Sequence, residues 1–292
     1  MNSIELFKKN APELLDKVYQ QSAKTAVLDC NSDLVKAGAN ANEIVIPKLD
    51  MDGLGDFDRN SGYLDGDVKL TNETVKFNYE RGRRLKTDAI DNEETGGVIL
   101  ANLSGEFVRT KVVPEVDAVR FAHYASTPNI TVKSETIESG EAAIKSIAAV
   151  YDGMTTSEVP EDSRYLFIEP TINGLIRDLD TTKSKELMKK FAGIIEVPKS
   201  RFYTAIELLS GKDEDGERVG GYKKADNGMD INYMIIEKSA ILQHTKHAKT
   251  KVFTPDQDQD GDDYKMLYRL YGLNDTYENK AAGIAVSHKP AA

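Results

Sequence analysis

The residues with the greatest chemical reach lie near the end of the chain. In DQDQDGDDYKML, Asp256, Asp258, Asp260 and Gly261 fit positions 1, 3, 5 and 6 of a helix-flanked calcium loop. Position 12 should bring the bidentate carboxylate that completes the calcium shell, and here it is Leu267. Pro255 precedes the loop and a strand-like run follows it, so a solvated acidic turn is expected instead. His244 and His247 form an HTKH spacing that would place both imidazoles on one face of a helix. There is no glutamate between them and no third ligand, so no zinc site is expected. His123 and His288 stand alone and read as hydrogen-bonded packing residues. Cys30 is the only cysteine, which excludes an intrachain disulfide and reads as a small, partly buried apolar residue. Nucleotide-binding glycine loops and a nucleophile elbow are both missing, and the 48 acidic residues are scattered too widely to single out an acid–base pair. No catalytic residue, no cofactor and no metal ligand is expected.

The chain that must position any site has 292 residues, 40% hydrophobic and 29% charged, an ordinary globular composition able to bury a core. No apolar run approaches the roughly 18 residues of a membrane span, and the first residues do not read as a secretory signal, so a soluble protein made in the cytoplasm is expected. The formal charge of −10 makes the average surface repel phosphate, which argues against direct DNA binding.

Residues 3 to 23 read as an amphipathic helix capped by Ser3 and kinked at Pro12. A short β-type run at Glu43 to Pro47 is followed by a polar, glycine-rich stretch with too little apolar surface to fold alone. That segment should be an extended arm that gains order by lying on something else. In VKLTNETVKFNYERGRRLK, apolar residues alternate on either side of TNE, which predicts a hairpin turning at that tripeptide and needing a neighbour to rest against. A long helical pattern from Thr95 should break near Pro114, and a second helix covers Glu138 to Tyr151. Strands are expected at SRYLFIEP, INYMIIEKSAILQH and HAKTKVFTP, with two more in the closing YKMLYRLYGLNDTYENKAAGIAVSHK. Strand pattern on both sides of the helical part means that the chain returns to an earlier sheet, giving an α+β fold with discontinuous domains.

Four segments carry a resemblance. IVIPKLDMDGLGDFDRNSGY with VKLTNETVKFNYERGRRLKTDAIDNEET, then GEFVRTKVVPEVDAVRFAHYA, then EDSRYLFIEPTINGLI, and finally HAKTKVFTPDQDQDGDDYKMLYRLYGLNDTYENKAAGIAVSHK are similar to segments of the major capsid proteins of tailed phages and prophages of Gram-positive hosts. They cover well over half the chain in the expected order. The resemblance implies the Hong Kong 97 fold: an N-terminal arm at residues 1–55, an extended loop at 56–94, a peripheral domain with a spine helix at 95–135 and 245–292, and an axial domain at 136–244. It also implies hexamers and pentamers of identical subunits forming the icosahedral head of a virion around double-stranded DNA, without specific DNA binding and without a membrane. The arm begins within about 50 residues, so a separate scaffolding protein is expected in place of a fused one, together with a portal, while the sequence leaves decoration proteins open. An encapsulin-type compartment shell would have the same fold, and is the alternative.

Six copies at −10 each give a hexamer a formal charge of −60, so assembly should set cations against acidic neighbours. The candidates for subunit contacts are Lys69, Lys76, Arg81, Arg83 and Arg84, with Glu93 and Glu94. Changing the three arginines to glutamate is expected to leave the subunit folded and block shells. Some relatives join a loop lysine to a neighbour's asparagine. Lys69 or Lys76 and Asn274 or Asn279 could take those roles, but nothing in their spacing selects them, and an unlinked shell is expected.

Overall fold

The structure is a computed structural model that describes residues 23–30, 36–37, 43–57, 59, 62–63, 65–90, 98–179, 181–212, 217–257 and 261–291. In chain order the strands and helices are β1 (Lys36–Ala37), β2 (Glu43–Met51), β3 (Val68–Lys76), β4 (Tyr79–Asp88), α1 (Val98–Phe107), α2 (Val113–Ala125), β5 (Thr131–Ser134) and α3 (Gly140–Thr156). They continue with β6 (Arg164–Ile168), α4 (Pro170–Leu179), α5 (Thr182–Lys189), β7 (Gly193–Glu196), β8 (Ile206–Leu208) and β9 (Tyr222–Lys224). The last four are β10 (Ile231–Glu237), β11 (Ile241–Phe253), β12 (Asp263–Thr276) and β13 (Ile284–His288). The first predicted helix, at residues 3 to 23, lies outside the described residues apart from Ala23.

The largest sheet has the order β5-β13-β10-β6-β7. Its central strand β10, INYMIIE, is buried at every position, as a strand covered on both faces must be. Tyr233 and Ile235 face α3, α4 and α5 in one cluster, which also holds Ile147, Leu166 and Ile172. Met234 and Ile236 face the other way, onto Phe121 and Tyr124 of α2 and onto Leu28. Each such side chain contributes about 1.5–3 kcal/mol on burial. Helix α3 begins with Ser139, whose hydroxyl accepts the Ala142 amide at 3.2 Å, and presses its first residue against α4. A Cβ at Gly140 would stand 2.2 Å from the Leu175 carbonyl, so only glycine allows this approach.

A second sheet has the order β11-β12-β4 and lays one face on α1 and α2, burying Tyr79, Tyr268 and Leu270 against Val108, Val112, Val113 and Val116. The return of the chain to an earlier sheet, expected from the sequence, is seen twice: β12 pairs with β4, and β13 pairs with β5. Strands β5 and β13 share the large sheet with β6, β7 and β10, so this pairing runs across the 95–135, 136–244 and 245–292 divisions.

Two expectations need correction. The helix does not break at Pro114. A wide π-helical turn at Val108–Val112 joins α1 to α2, and Pro114 sits in the first turn of α2. The wide turn gives room where a proline ring would otherwise press on the carbonyl four residues earlier. Nor does the chain turn at TNE. Thr71, Asn72 and Glu73 lie inside β3, which pairs along its whole length with β2, from Met51 opposite Val68 to Glu43 opposite Lys76. The hairpin is therefore a ribbon of β2 and β3 that straddles residue 55, with its bend between Met51 and Val68.

Candidate subunit-contact surfaces

Exposed large apolar side chains are concentrated on the β2–β3 ribbon and its bend. Met51, Leu54, Phe57, Tyr63, Val68 and Leu70 are each more than half exposed. An edge-to-face contact between Phe57 and Tyr63, with ring centroids 4.9 Å apart, holds the bend. The Asp52 carboxylate also accepts the Asp67 amide there, at 2.9 Å. Lone exposed apolar residues are ordinary on a protein surface, but six along one ribbon and its bend mark an interaction surface. Sequence reasoning named Lys69 and Lys76 on this ribbon and passed over the apolar residues. The available signal was their isolation among aspartates and glycines, where no core could gather them.

Lys69 lies opposite Asp50 in the ribbon and Lys76 opposite Glu43, both exposed. The arginine cluster is divided by the alternation of β4. Arg81 points inward: its Nε donates to Glu115 at 2.9 Å, and its Nη2 donates to the carbonyls of Leu209 and Gly221. Glu115 also accepts the Tyr79 hydroxyl at 2.9 Å. Arg83 donates to the Arg218 carbonyl at 2.7 Å and lies against Gly211 and Gly220, both at positive φ. A Cβ on Gly211 would meet the Arg83 guanidinium at 2.8 Å. These two arginines line a cleft of about 780 Å³ between β4, the α1–α2 joint and the β8–β9 hairpin, and they serve their own chain. Arg84 alone of the three points to the exposed face. Glu93 and Glu94 lie outside the described residues.

The expectation that the subunit folds undisturbed with all three arginines reversed is therefore revised for Arg81. Arg81→Glu sets a carboxylate against Glu115 and leaves two carbonyls without their donor. It should cost about 2–3 kcal/mol, read as a lower midpoint in urea denaturation, while Arg84→Glu should leave the midpoint in place.

Asn274 is buried, and its side-chain oxygen accepts Arg120 Nε at 2.9 Å, which removes it from a neighbour's reach. Its backbone is paired with a side chain: Asn78 Nδ2 donates to the Asn274 carbonyl at 2.6 Å, and Asn78 Oδ1 accepts the Asn274 amide at 3.0 Å. Asn279 lies in a short 3-10 segment, Glu278–Gly283, and is exposed.

His244 and His247 are on strand β11, not on a helix. A bulge at Lys246 puts their register partners Leu273 and Tyr271 on one side of β12, so the two histidines share a sheet face. Among the described residues no group of three metal-ligating side chains forms; Asp258 and Asp260 of the acidic turn lie outside them. The Cys30 thiol is half-buried and its pKa is raised, first by burial and then by Asp29, as suits an unreactive residue. No described helix is long and apolar enough to cross a membrane.

Buried charges escaped the sequence reading. Asp117 is fully buried under residues 23–30. Its carboxylate accepts the Thr25 hydroxyl at 2.8 Å, the Lys24 and Thr25 amides, and Arg201 Nη1 at 3.0 Å. One helical turn on, Arg120 donates to Thr25 Oγ1 at 2.9 Å as well as to Asn274. In the large sheet, burial pushes the Glu135 carboxyl up, but the Ser146 and Ser287 hydroxyls and Lys133 outweigh it and hold the group below its ordinary value. Glu237 is held low in the same way by Ser163 and Ser239. Burial also lowers the His244 pKa. All three shifts carry the same sign: the unfolded chain binds these protons more readily, so acid weakens the fold. Thermal melts should show stability falling as pH drops below about 6.5, where His244 begins to differ between the two states, and falling further below about 4.5 as Glu135 and Glu237 titrate. A melting temperature constant from pH 7 to pH 3 would contradict these environments.

Comparison with known proteins gives fold without close kinship. No family model matches the chain, and no curated protein does. Solved structures do match. The mature capsid of bacteriophage PhiM1 aligns with a TM-score of 0.58 at 10% identity, covering 86% of this chain and 83% of that one. A virus-like particle from Pyrococcus furiosus aligns with a TM-score of 0.57 at 13% identity, over 96% of this chain and 99% of that one. A Gordonia phage Cozz chain aligns with a TM-score of 0.59 at 12% identity, over 94% and 87%. The chain thus has the fold of capsid subunits. That fold is the α+β Hong Kong 97 type.

Proposed function

We propose that this chain is the major capsid protein of a tailed phage, a subunit whose identical copies close into the icosahedral head shell. The observation that carries the reading is the β2–β3 ribbon. It exposes six large apolar side chains that its own chain leaves uncovered, on a fold otherwise able to bury its core. Only the two-residue strand β1, paired with β2 near the base, extends this ribbon to a third strand, so most of it is a two-stranded hairpin that is marginal alone, and a neighbouring copy supplies the missing burial. On this reading hexamers and pentamers form around double-stranded DNA in the virion. Scaffolding, portal and decoration proteins are its partners, and the subunit is made in the host cytoplasm. The ribbon serves as the extended loop, α1–α2 as the spine helix, the β4-β11-β12 sheet as the peripheral part and the large sheet with α3–α5 as the axial part. Negative-stain microscopy of the expressed protein tests the reading: closed shells or tubes are expected, and a monomer that persists at high concentration would overturn it.

The alignment over 99% of the Pyrococcus furiosus virus-like particle chain favours a second reading, an encapsulin-type compartment shell. Particles purified from a host carrying the neighbouring genes separate the two. Nucleic acid inside supports the phage head, and an enzyme cargo supports the compartment.

A further inference from the structure

Strand β7 is an outer edge of the large sheet: it pairs in parallel with β6 on one side, and among the described residues no strand lies on the other. A groove of about 630 Å³ runs between this edge, α4 and α5. Ile176, Met188, Ile194 and Ile195 supply its apolar wall. Ile194 is 39% exposed and Met188 half-buried, so part of that wall is open. The described carboxylate of the lining, Glu196, is already held by Asn173 Nδ2 and Arg177 Nη2, both at 2.7 Å. An open strand edge that carries an exposed isoleucine invites a foreign strand unless something covers it.

The chain's own first residues lead to this groove. The Lys24 and Thr25 amides donate to Asp117 on α2, and Lys24 lines the groove, so the 22 residues that precede Ala23 set out from its mouth. In the last of them, PELLDKVYQQS, helical spacing puts Leu14, Leu15, Val18 and Tyr19 on one face, with Pro12 suited to a first turn. A helix this short is marginal alone and needs a surface for its apolar face. Val18 and Leu14 precede Lys24 by about 9 and 15 Å of helix, which keeps that face within the reach of the groove. So short a tether holds the segment at an effective concentration on the order of millimolar, which favours it over the same segment of another copy.

We infer that residues 12–22 dock as a helix in this groove of their own chain. Leu14, Leu15, Val18 and Tyr19 cover Met188 and Ile194, and the docked helix caps the open edge of β7, which keeps the large sheet from adding a strand of another molecule. The inference concerns the single subunit and stands apart from the shell reading.

Hydrogen exchange on the full chain, kept dilute and unassembled, tests it. The amides of residues 14–20 should exchange at least tenfold more slowly than in a synthetic peptide of residues 1–22. Docking couples the two surfaces, so each should protect the other. Ile194→Asp should strip the protection from residues 14–20, and Leu14→Asp with Val18→Asp should speed exchange along residues 193–196 at least tenfold. In both variants β10, at the centre of the sheet, should keep its protection and so report an intact fold. If Ile194→Asp loses the protection of β10, Met188→Lys on α5 gives the same reading without touching the sheet. Unprotected amides at 14–20 in the parent overturn the inference, as does protection there that survives a folded groove variant. Exchange along β7 that ignores Leu14→Asp with Val18→Asp shows that the segment does not cap the edge, and the inference fails. Protection that appears only at high protein concentration places the segment on a second copy, and the inference fails in that case too.

Discussion

Asp117→Ala should lower the stability of the subunit by about 3 kcal/mol, because it leaves a partly buried guanidinium and three other donors without their acceptor. The carboxylate is fully buried and is the common partner of Lys24, Thr25 and Arg201. The loss should be local as well as global. The amides of Lys24 and Thr25 donate directly to Asp117, so hydrogen exchange at these two positions should rise by more than the overall loss of stability explains. Arg120 also holds Thr25, through its hydroxyl, so Arg120→Leu should produce a similar pattern. Unchanged exchange at residues 24 and 25 in Asp117→Ala would show that the carboxylate does not fasten this segment.

Arg164→Leu is the second large effect. The side chain is completely buried and its guanidinium lies over the Tyr151 ring at 4.4 Å. It donates to the carbonyls of Pro160, Tyr151 and Val159 and to the Thr155 hydroxyl. Tyr151 and Thr155 belong to the last turns of α3, so the cation also meets the negative end of that helix. Leucine keeps most of the volume and supplies no donor. The expected cost is about 3 kcal/mol or more, seen as a fall of about 6 °C or more in the melting temperature. Arg164→Lys should recover little of it, because one ammonium cannot span four acceptors spread along a bend. A melting temperature within 1–2 °C of the parent, about the shift from 0.5 kcal/mol, would rule the clamp out.

How much of this was legible in the sequence depends on whether a residue's neighbours are close along the chain. INYMIIE and RYLFI read as buried strands because a strand covered on both faces has no polar side to show. The helix expected from Glu138 to Tyr151 is present but runs from Gly140 to Thr156, its apolar positions repeating at helical spacing. TNE was misread because its polarity comes from exposure within a ribbon and not from a reversal of the chain. The break at Pro114 was misplaced because sequence periodicity does not show a π-helical turn. Among the candidate contact residues, Arg81, Arg83 and Arg84 look alike in the sequence. Only the pairing of β4 with a strand nearly two hundred residues later sends the first two inward and the third outward. Asp117 and Arg164 gave no signal at all, since their partners come from loops and helix ends that local pattern cannot bring together.

At the joint between ribbon and sheet Val75 packs on Leu242 and Leu273, Phe77 stacks on Tyr271, and one side chain stands in for the backbone. Asn78 donates to and accepts from the backbone of Asn274, doing with its amide what a peptide group would do in a continued ladder. Beyond that point β3 and β12 are not paired: β3 belongs to one sheet and β4 to another. A closed polyhedron made from one kind of tile needs an angle that differs between its vertices and its flat faces. On the proposed shell reading, a base held by Asn78, Val75 and Phe77 with no strand pairing to the sheet beyond it would let every tile keep the same seam while the fold line between tiles varies.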